Sequence, residues 1–317
     1  MRTKVLVAGV VCVLAALTAC APPVPPPAEP DPPPGATGPS DGCGTTARGP
    51  QTDRAEALVA DGLVRRFTMT LPPGHTPGTT TPVPLVLDLH GLLEGFAGTH
   101  PFSTRFSEKA IEEGFAVVFP IGQSEGVFWD YTAREDNPDL RFIDALLEHV
   151  EASTCVDRSR IYVTGLSNGA FMTSMLMCMR PNTFAAAAPV AGIMDLCHAT
   201  ERSVPFVTFH GTADPILPYD AFAATPQAIA AKYGCDPSPA ISTLTPDPDP
   251  STDGPVTLTS WDCDGSAGFV RSYVIGGGGH SWPGSLFFQL VGFIVGPTAT
   301  SLDATDVIWD FFAQHHL

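Results

Sequence analysis

The chain has 317 residues, 44% of them hydrophobic and 15% charged, which excludes a mostly disordered protein and allows one sizeable core. The formal net charge is −17, with 33 Asp and Glu against 16 Lys and Arg. A surface that acidic repels phosphate backbones and anionic head groups, so no nucleic-acid partner is expected.

The chain opens with an export signal. Arg2 and Lys4 supply a short positive region, and residues 5–17 carry no charge. Such a stretch suits a signal peptide and is too short to cross a bilayer as a helix. Leu17-Thr18-Ala19-Cys20 follows and resembles the bacterial lipobox, in which the cysteine is lipidated before cleavage. An ordinary secretory signal with an incidental Cys20 is the plainer alternative, and both readings export the protein. Residues 1–19 are therefore expected to be a lipoprotein signal peptide with Cys20 as the lipidation site. Residues 20–42, dominated by proline, read as an extended polyproline-II tether. Residues 43–317 remain for a folded domain outside the cytoplasm, secreted or held to the membrane only through the N-terminal lipid.

In that domain short apolar runs alternate with helical patterns. Strands are expected at 65–71, 84–89, 115–120, 160–164, 184–190, 205–209 and 269–275, the central ones apolar on both faces. Helices are expected at 139–153, 168–179, 220–233 and 303–314; in the first, Leu140, Ile143, Leu146, Leu147 and Val150 share one face. Residues 245–254 read as a loop insertion. This alternation predicts an α/β fold with a doubly wound, mostly parallel sheet in a single domain.

Of eight cysteines, Cys12 lies in the signal and Cys20 at the lipobox, leaving six. An even number outside the cytoplasm suggests disulfides. Cys235 and Cys263 flank the insertion, so a bridge there closes a loop. Cys178 ends a helix and Cys197 follows the next strand, which makes them neighbours in such a fold. Cys43–Cys155 is left by elimination. No CxxC or HxxxH spacing occurs among them, so no metal is expected, and nothing in the sequence calls for a cofactor.

The chemistry gathers at strand ends. Arg-Ile-Tyr-Val-Thr runs into Gly165-Leu166-Ser167-Asn168-Gly169 and then a helix. Gly-x-Ser-x-Gly recurs by chance, but between a strand and a helix it places a serine on a strained turn with its Oγ above the sheet. A serine needs a base and an acid that orients it, in the chain order Ser, Asp, His for this architecture. Asp214 lies just past the strand at 205–209, and His280 follows the glycine run that ends the strand at 269–275. His210 precedes the acid and has the wrong order. The oxyanion donors are expected to be the backbone N–H groups of Asn168 and Leu92, the latter in the loop His90-Gly91-Leu92, with His90 holding that loop.

These motifs, with AAAAPVAG, HGTADPILPY, GGGGHSWPG and DATDVIWDFF, resemble the polyhydroxybutyrate depolymerase/feruloyl esterase family of α/β-hydrolases. The resemblance implies an α/β-hydrolase fold over roughly residues 60–317, and a triad of Ser167, Asp214 and His280 in agreement with the placement above. Leu92-Leu93-Glu94 departs from the Cys-Gly-rich turn usual in that family, and Ala170 stands where a second glycine often follows. The expected activity is hydrolysis of carboxylic esters, small or polymeric, with apolar, short hydroxyacyl or aromatic acids. A cell-envelope acyltransferase using the same triad, or a non-catalytic surface-binding lipoprotein, are the alternatives. Oligomeric state is not readable. Residues 285–295 (SLFFQLVGFIV) form either a packed core segment or, with Phe287, Phe288, Leu290 and Trp282, an apolar wall of the acyl site that Trp129 faces across the cleft.

Overall fold

The computed structural model describes residues 37–196, 202–244, 254–263 and 265–317. The signal segment, Cys20, most of the tether, Cys197 and residues 245–253 lie outside them. Among the described residues ten strands form one sheet: β1 (Gln51–Ala60), β2 (Leu63–Leu71), β3 (Val83–Leu89), β4 (Ala116–Pro120), β5 (Val156–Leu166), β6 (Ala186–Val190), β7 (Phe206–Gly211), β8 (Ala240–Leu244), β9 (Val256–Cys263) and β10 (Ser266–Ile275). Between them lie α1 (Glu94–Ala97), α2 (His100–Thr104), α3 (Phe106–Glu113), α4 (Gln123–Gly126), α5 (Pro138–Ser153), α6 (Asn168–Met179), α7 (Thr225–Lys232), α8 (Leu286–Leu290), α9 (Gly292–Val295) and α10 (Ala304–Phe312).

The strand order is β1-β2-β4-β3-β5-β6-β7-β10-β9-β8. From β4 to β10 all neighbours are parallel, while β1 and β2 at one side and β9 and β8 at the other join antiparallel. The parallel centre is dry because helices cover both faces. Leu85, Leu87 and Leu89 of β3 pack with Leu140, Ile143, Met172 and Met175 from α5 and α6. Val86, between them, faces the opposite layer with Phe106, Ala110, Ile308 and Phe312 from α3 and α10. A two-residue period with apolar side chains on both faces is what a doubly covered strand requires. The expected doubly wound sheet is therefore present, in one compact unit.

Local chemistry explains most boundaries. Asn137 starts α5 by accepting the N–H groups of Asp139 and Leu140, with Pro138 at the first helical position. The helix expected at 220–233 is instead a 3₁₀ turn at Tyr219–Ala221 followed by α7, which restarts with Pro226 in its first turn. Strands β1, β8 and β9 were not expected. β8 is exposed along its whole length and β1 along most of it, so neither shows an apolar alternation.

The chain enters the fold ahead of residue 43. Ser40 N–H donates to Val156 O at 2.8 Å, and Gly42 N–H to Glu151 O at 2.8 Å. The Cys43–Cys155 disulfide, with a sequence separation of 112, locks this segment to the start of β5, and Cys235–Cys263 closes the loop between α7 and β9. The expected Cys178–Cys197 pair involves Cys197, outside the described residues. Closing a loop of about 110 residues restricts the unfolded chain by roughly 4–5 kcal/mol in the chain-entropy picture. Replacing Cys43 and Cys155 together by alanine is expected to cost about that much stability, read from urea unfolding curves in which midpoint and slope are both fitted. A loss under about 1 kcal/mol would show that the reduced chain gains no freedom there.

Candidate active site

After β3 the chain passes to β4 on one side and then returns to β5 on the other. At such a reversal the loops leaving neighbouring strands diverge and open a crevice at their C-terminal ends. The loops after β3, β5, β7 and β10 carry His90 to Leu92, Ser167, Asp214 and His280 respectively.

Ser167 occupies the turn between β5 and α6 with φ 56° and ψ −115°, a conformation costly for a side chain with a Cβ. The turn is held by its N–H, which donates to Val190 O at 2.9 Å. It also sits close against the end of β3: a Cβ at Gly169 would lie 2.1 Å from Leu89 O, and one at Gly165 2.7 Å from the same atom. Ser167 makes no side-chain capping bond to its helix, and it is half-buried. The N–H of Asn168, first in α6, has no partner inside the helix by geometry. The Asn168 side chain is used elsewhere. Its Oδ1 accepts the Trp129 N–H at 2.6 Å and its Nδ2 donates to Trp129 O at 3.2 Å, fastening the loop after α4 to the turn.

Asp214 and His280 meet across the crevice, with Asp214 Oδ2 2.7 Å from His280 Nδ1 and both residues buried. The other carboxylate oxygen accepts the N–H groups of Ile216 and Leu217, each at 2.8 Å. Burial pushes the Asp214 carboxyl upward, but the bond to His280, the histidine charge and those two backbone donors hold it below its usual value. An ionised Asp214 only accepts, so the proton sits on His280 Nδ1 and Nε2 is left as a base. The His280 N–H donates to Val295 O and the Gly279 N–H to Pro297 O, each at 2.6 Å, so the segment after α9 braces this loop. His210 lies 3.5 Å from Asp214 Oδ2, but its Nε2 also faces Leu217 O at 2.9 Å.

The loop after β3 has few loose groups. Gly91 N–H donates to the Glu94 carboxylate, Leu93 N–H to Val127 O and Glu94 N–H to Gly91 O, leaving Leu92 N–H without a partner among the described residues. His90 Nε2 accepts the Gly122 N–H at 2.9 Å, so its proton is on Nδ1, which donates to Gly91 O at 2.8 Å. Burial lowers its pKa to about 4, so it is neutral and structural at pH 7.

The expected acyl wall is mostly core. Trp129 is 1% exposed, its Nε1–H donating to His90 O at 3.0 Å and its ring lying 4.9 Å from the His90 ring. Trp282 is 1% exposed, donating to Thr305 Oγ1 and packed on Phe106; Phe288 is also buried. All three are packed in the core; each tryptophan turns inward because its indole N–H needs a buried acceptor, and Phe288 is buried among apolar neighbours. Phe287 is half-buried against Phe102 and Phe288. Leu290 belongs to a different surface: with Leu286, Phe293 and Ile294 it stands exposed on α8 and α9.

A different row of rings lies beside the crevice. Tyr131 packs on Phe171 at 5.0 Å, Phe171 stacks with Phe222 at 6.2 Å, and Phe222 stacks with His210 at 5.3 Å. Phe171 is one helical turn past Ser167, to which its N–H donates, and His210 adjoins Asp214. All three carbon rings are half-buried. The only sequence signal was the i, i+4 spacing of Ser167 and Phe171; Tyr131 and Phe222 arrive from distant segments.

Comparison with known proteins agrees with this architecture. Residues 110–215, which hold Ser167 and Asp214, match the prolyl oligopeptidase family. A probable feruloyl esterase C of Aspergillus niger is 27% identical over 179 residues, 55% of this chain and 64% of that one. NocK of Nocardia uniformis subsp. tsuyamanensis, provisionally named an esterase, is 28% identical over 290 residues that cover 82% of each chain. An acetyl xylan esterase from Aspergillus awamori superposes with a TM-score of 0.58 at 17% identity, covering 76% of this chain and 99% of that one. The chain has an α/β-hydrolase fold. Its sequence relatives are esterases, although the match to the Aspergillus niger enzyme stops short of two thirds of that protein's length.

Buried His90 in the site and half-buried His315 near the C-terminus limit the acid tolerance of the fold. His90 and His315 have pKa values lowered to about 4, mainly by burial. Between the ordinary histidine value and pH 4 the unfolded chain takes up protons that the folded chain refuses, so stability falls with pH by up to about 1.4 kcal/mol per unit for His90 and by less for the more solvent-screened His315. His100, raised to about 10, gives its full contribution below the ordinary value and does not oppose this. The melting temperature is expected to fall steadily from pH 6.5 to 4.5, and a flat profile would mean that these rings protonate in the folded state.

Proposed function

We propose that the protein is an exported serine hydrolase of carboxylic esters. The observation that carries this reading is the buried Asp214–His280 pair, 2.7 Å apart, at strand ends that also present Ser167 on a strained turn. Ser167 Oγ attacks the ester carbonyl as His280 Nε2 takes its proton, and the carbonyl oxygen becomes an oxyanion within reach of the Leu92 and Asn168 N–H groups. The intermediate collapses to an acyl-enzyme, and the leaving alcohol takes the proton from His280. Water then gives a proton to His280 and attacks the acyl carbon, and Ser167 recovers its hydrogen as the acid departs.

The acyl group is read as apolar, short or aromatic. The half-buried row of Tyr131, Phe171 and Phe222 offers flat apolar faces from the Ser167 turn toward Asp214, and a net charge of −17 disfavours anionic acids. The name of the Aspergillus niger relative points the same way, toward a feruloyl ester, with short hydroxyacyl esters as the second group to assay. Export is supported by the Cys43–Cys155 and Cys235–Cys263 bridges, which persist in oxidising compartments. Residues 1–19 would be removed, Cys20 lipidated and residues 20–42 left as a tether. Mass spectrometry of the mature N-terminal peptide checks this, and an unmodified N-terminus elsewhere would leave secretion alone.

The central test is a p-nitrophenyl acetate, butyrate and octanoate series together with methyl ferulate. Ser167→Ala is expected to lose at least about 1,000-fold in kcat, and Asp214→Asn about 10,000-fold through the wrong imidazole tautomer, both remaining folded. Phe171→Ala and Phe222→Ala are expected to raise KM for methyl ferulate roughly 5- to 100-fold with kcat little changed. Wild-type turnover in Ser167→Ala would overturn the mechanism; unchanged KM in both phenylalanine variants would remove the aromatic row from the acyl site.

A further inference from the structure

Beneath the loop after β3 lies a buried charged cluster that the reaction above does not use. Asp88, fully buried in β3, accepts from His100 Nε2 at 2.8 Å and from the Thr104 hydroxyl at 2.6 Å. The other ring nitrogen of His100 lies 3.3 Å from Glu94 Oε2, an ion-pair contact without hydrogen-bond geometry. That same oxygen accepts the Gly91 N–H at 2.6 Å, while Glu94 Oε1 accepts from Ser103 Oγ at 3.3 Å. A chain of contacts therefore runs from the sheet, through an imidazole and a carboxylate, to the His90–Gly91 peptide, next to the one that carries the Leu92 N–H. The next residue, Leu93, has φ 69°, a strained value for a side chain with a Cβ, so the loop needs an outside hold to keep its shape.

We propose that Glu94 is a positioning residue for the oxyanion hole: held beside the Asp88–His100 pair, its carboxylate fixes the His90–Gly91 peptide through the Gly91 N–H, and with it the orientation of the following peptide, so that the Leu92 N–H stays presented to the developing oxyanion. This rests on the esterase reading above. The charge balance suits the task. Burial alone would lower the His100 pKa, but the Asp88 and Glu94 carboxylates carry it to about 10, so the ring is cationic at working pH. Burial pushes the Glu94 carboxyl up, but His100 and the Gly91 N–H hold it below its ordinary value, so it stays an anionic acceptor. Leu92 N–H is the single unpaired donor among four consecutive backbone N–H groups, 91 to 94.

A misplaced donor weakens the transition state and leaves ground-state binding alone. Glu94→Ala is expected to lower kcat for p-nitrophenyl butyrate about 10- to 100-fold with KM within threefold. It should also weaken inhibition by butaneboronic acid, which forms a tetrahedral serine adduct, by a similar factor. Glu94→Gln keeps an acceptor oxygen for the Gly91 N–H without the charge and is expected to fall between wild type and Glu94→Ala; it also serves if the alanine variant does not fold. Melting temperatures and far-ultraviolet circular dichroism are recorded for each. Loss of kcat with a parallel loss of boronate affinity at unchanged KM supports the role. A kcat within threefold of wild type in the folded variants overturns it, as does a kcat loss without loss of boronate affinity. Ser167→Ala separates the two claims: if it stays active the esterase reading fails, whereas if it is dead and Glu94 variants are wild-type, only the positioning role fails.

Discussion

The crevice is built on one close backbone approach. α6 enters so near the end of β3 that nothing larger than a hydrogen fits on Gly169 beside Leu89 O. That contact brings the Ser167 turn against the loop that begins at His90, and it forces Ser167 into a backbone region that only surrounding structure can hold. The surroundings supply that hold: the parallel pairing of β5 with β3 and β6, the Ser167 N–H bond to Val190 O, and the Asn168 amide bonded to Trp129. The strained position of Ser167 thus follows from sheet pairing and from what the neighbouring glycines lack.

Around that contact, burial acts with opposite results on two neighbouring histidines. The rings of His90 and His100 are 6.4 Å apart. His90 has backbone partners, so removal from water decides and the ring stays neutral. His100 sits between two carboxylates, whose charge outweighs the same removal from water, and the ring keeps its proton. Asp214 and His280 show a third arrangement, in which two backbone donors keep the carboxylate ionised and so fix which nitrogen of the imidazole is free. His90 and His100 therefore hold different charges because their partners differ in charge.

How far these features could be read from sequence depends on whether the signal was local. The central strands were legible because a parallel strand covered on both faces must be an unbroken apolar run, as at Val117–Phe119. The strand-end places of Ser167, Asp214 and His280 were legible because each follows such a run. β1 and β8 were not, since mostly exposed edge strands carry no periodic apolar face. Trp282 shows the other limit. Two residues from His280 in the chain, it turns inward because its N–H finds Thr305 Oγ1 in the core, and sequence proximity says nothing about that direction. The row of Tyr131, Phe171 and Phe222 is assembled from three loops and helices that only the fold brings together. Glu94 was legible as a departure from the usual turn, but its bond to Gly91 was not.

The bare apolar faces of α8 and α9 have a consequence for how copies of the protein meet. Leu290 is 75% and Phe293 86% exposed, next to a body of net charge −17. At low ionic strength, long-range repulsion keeps these faces from touching. Near 1 M salt that repulsion reaches only about 3 Å, while sulfate and similar salts strengthen apolar contact. Apolar contact through these two short helices is then less opposed, so the ionic medium changes how copies meet before any change in the fold.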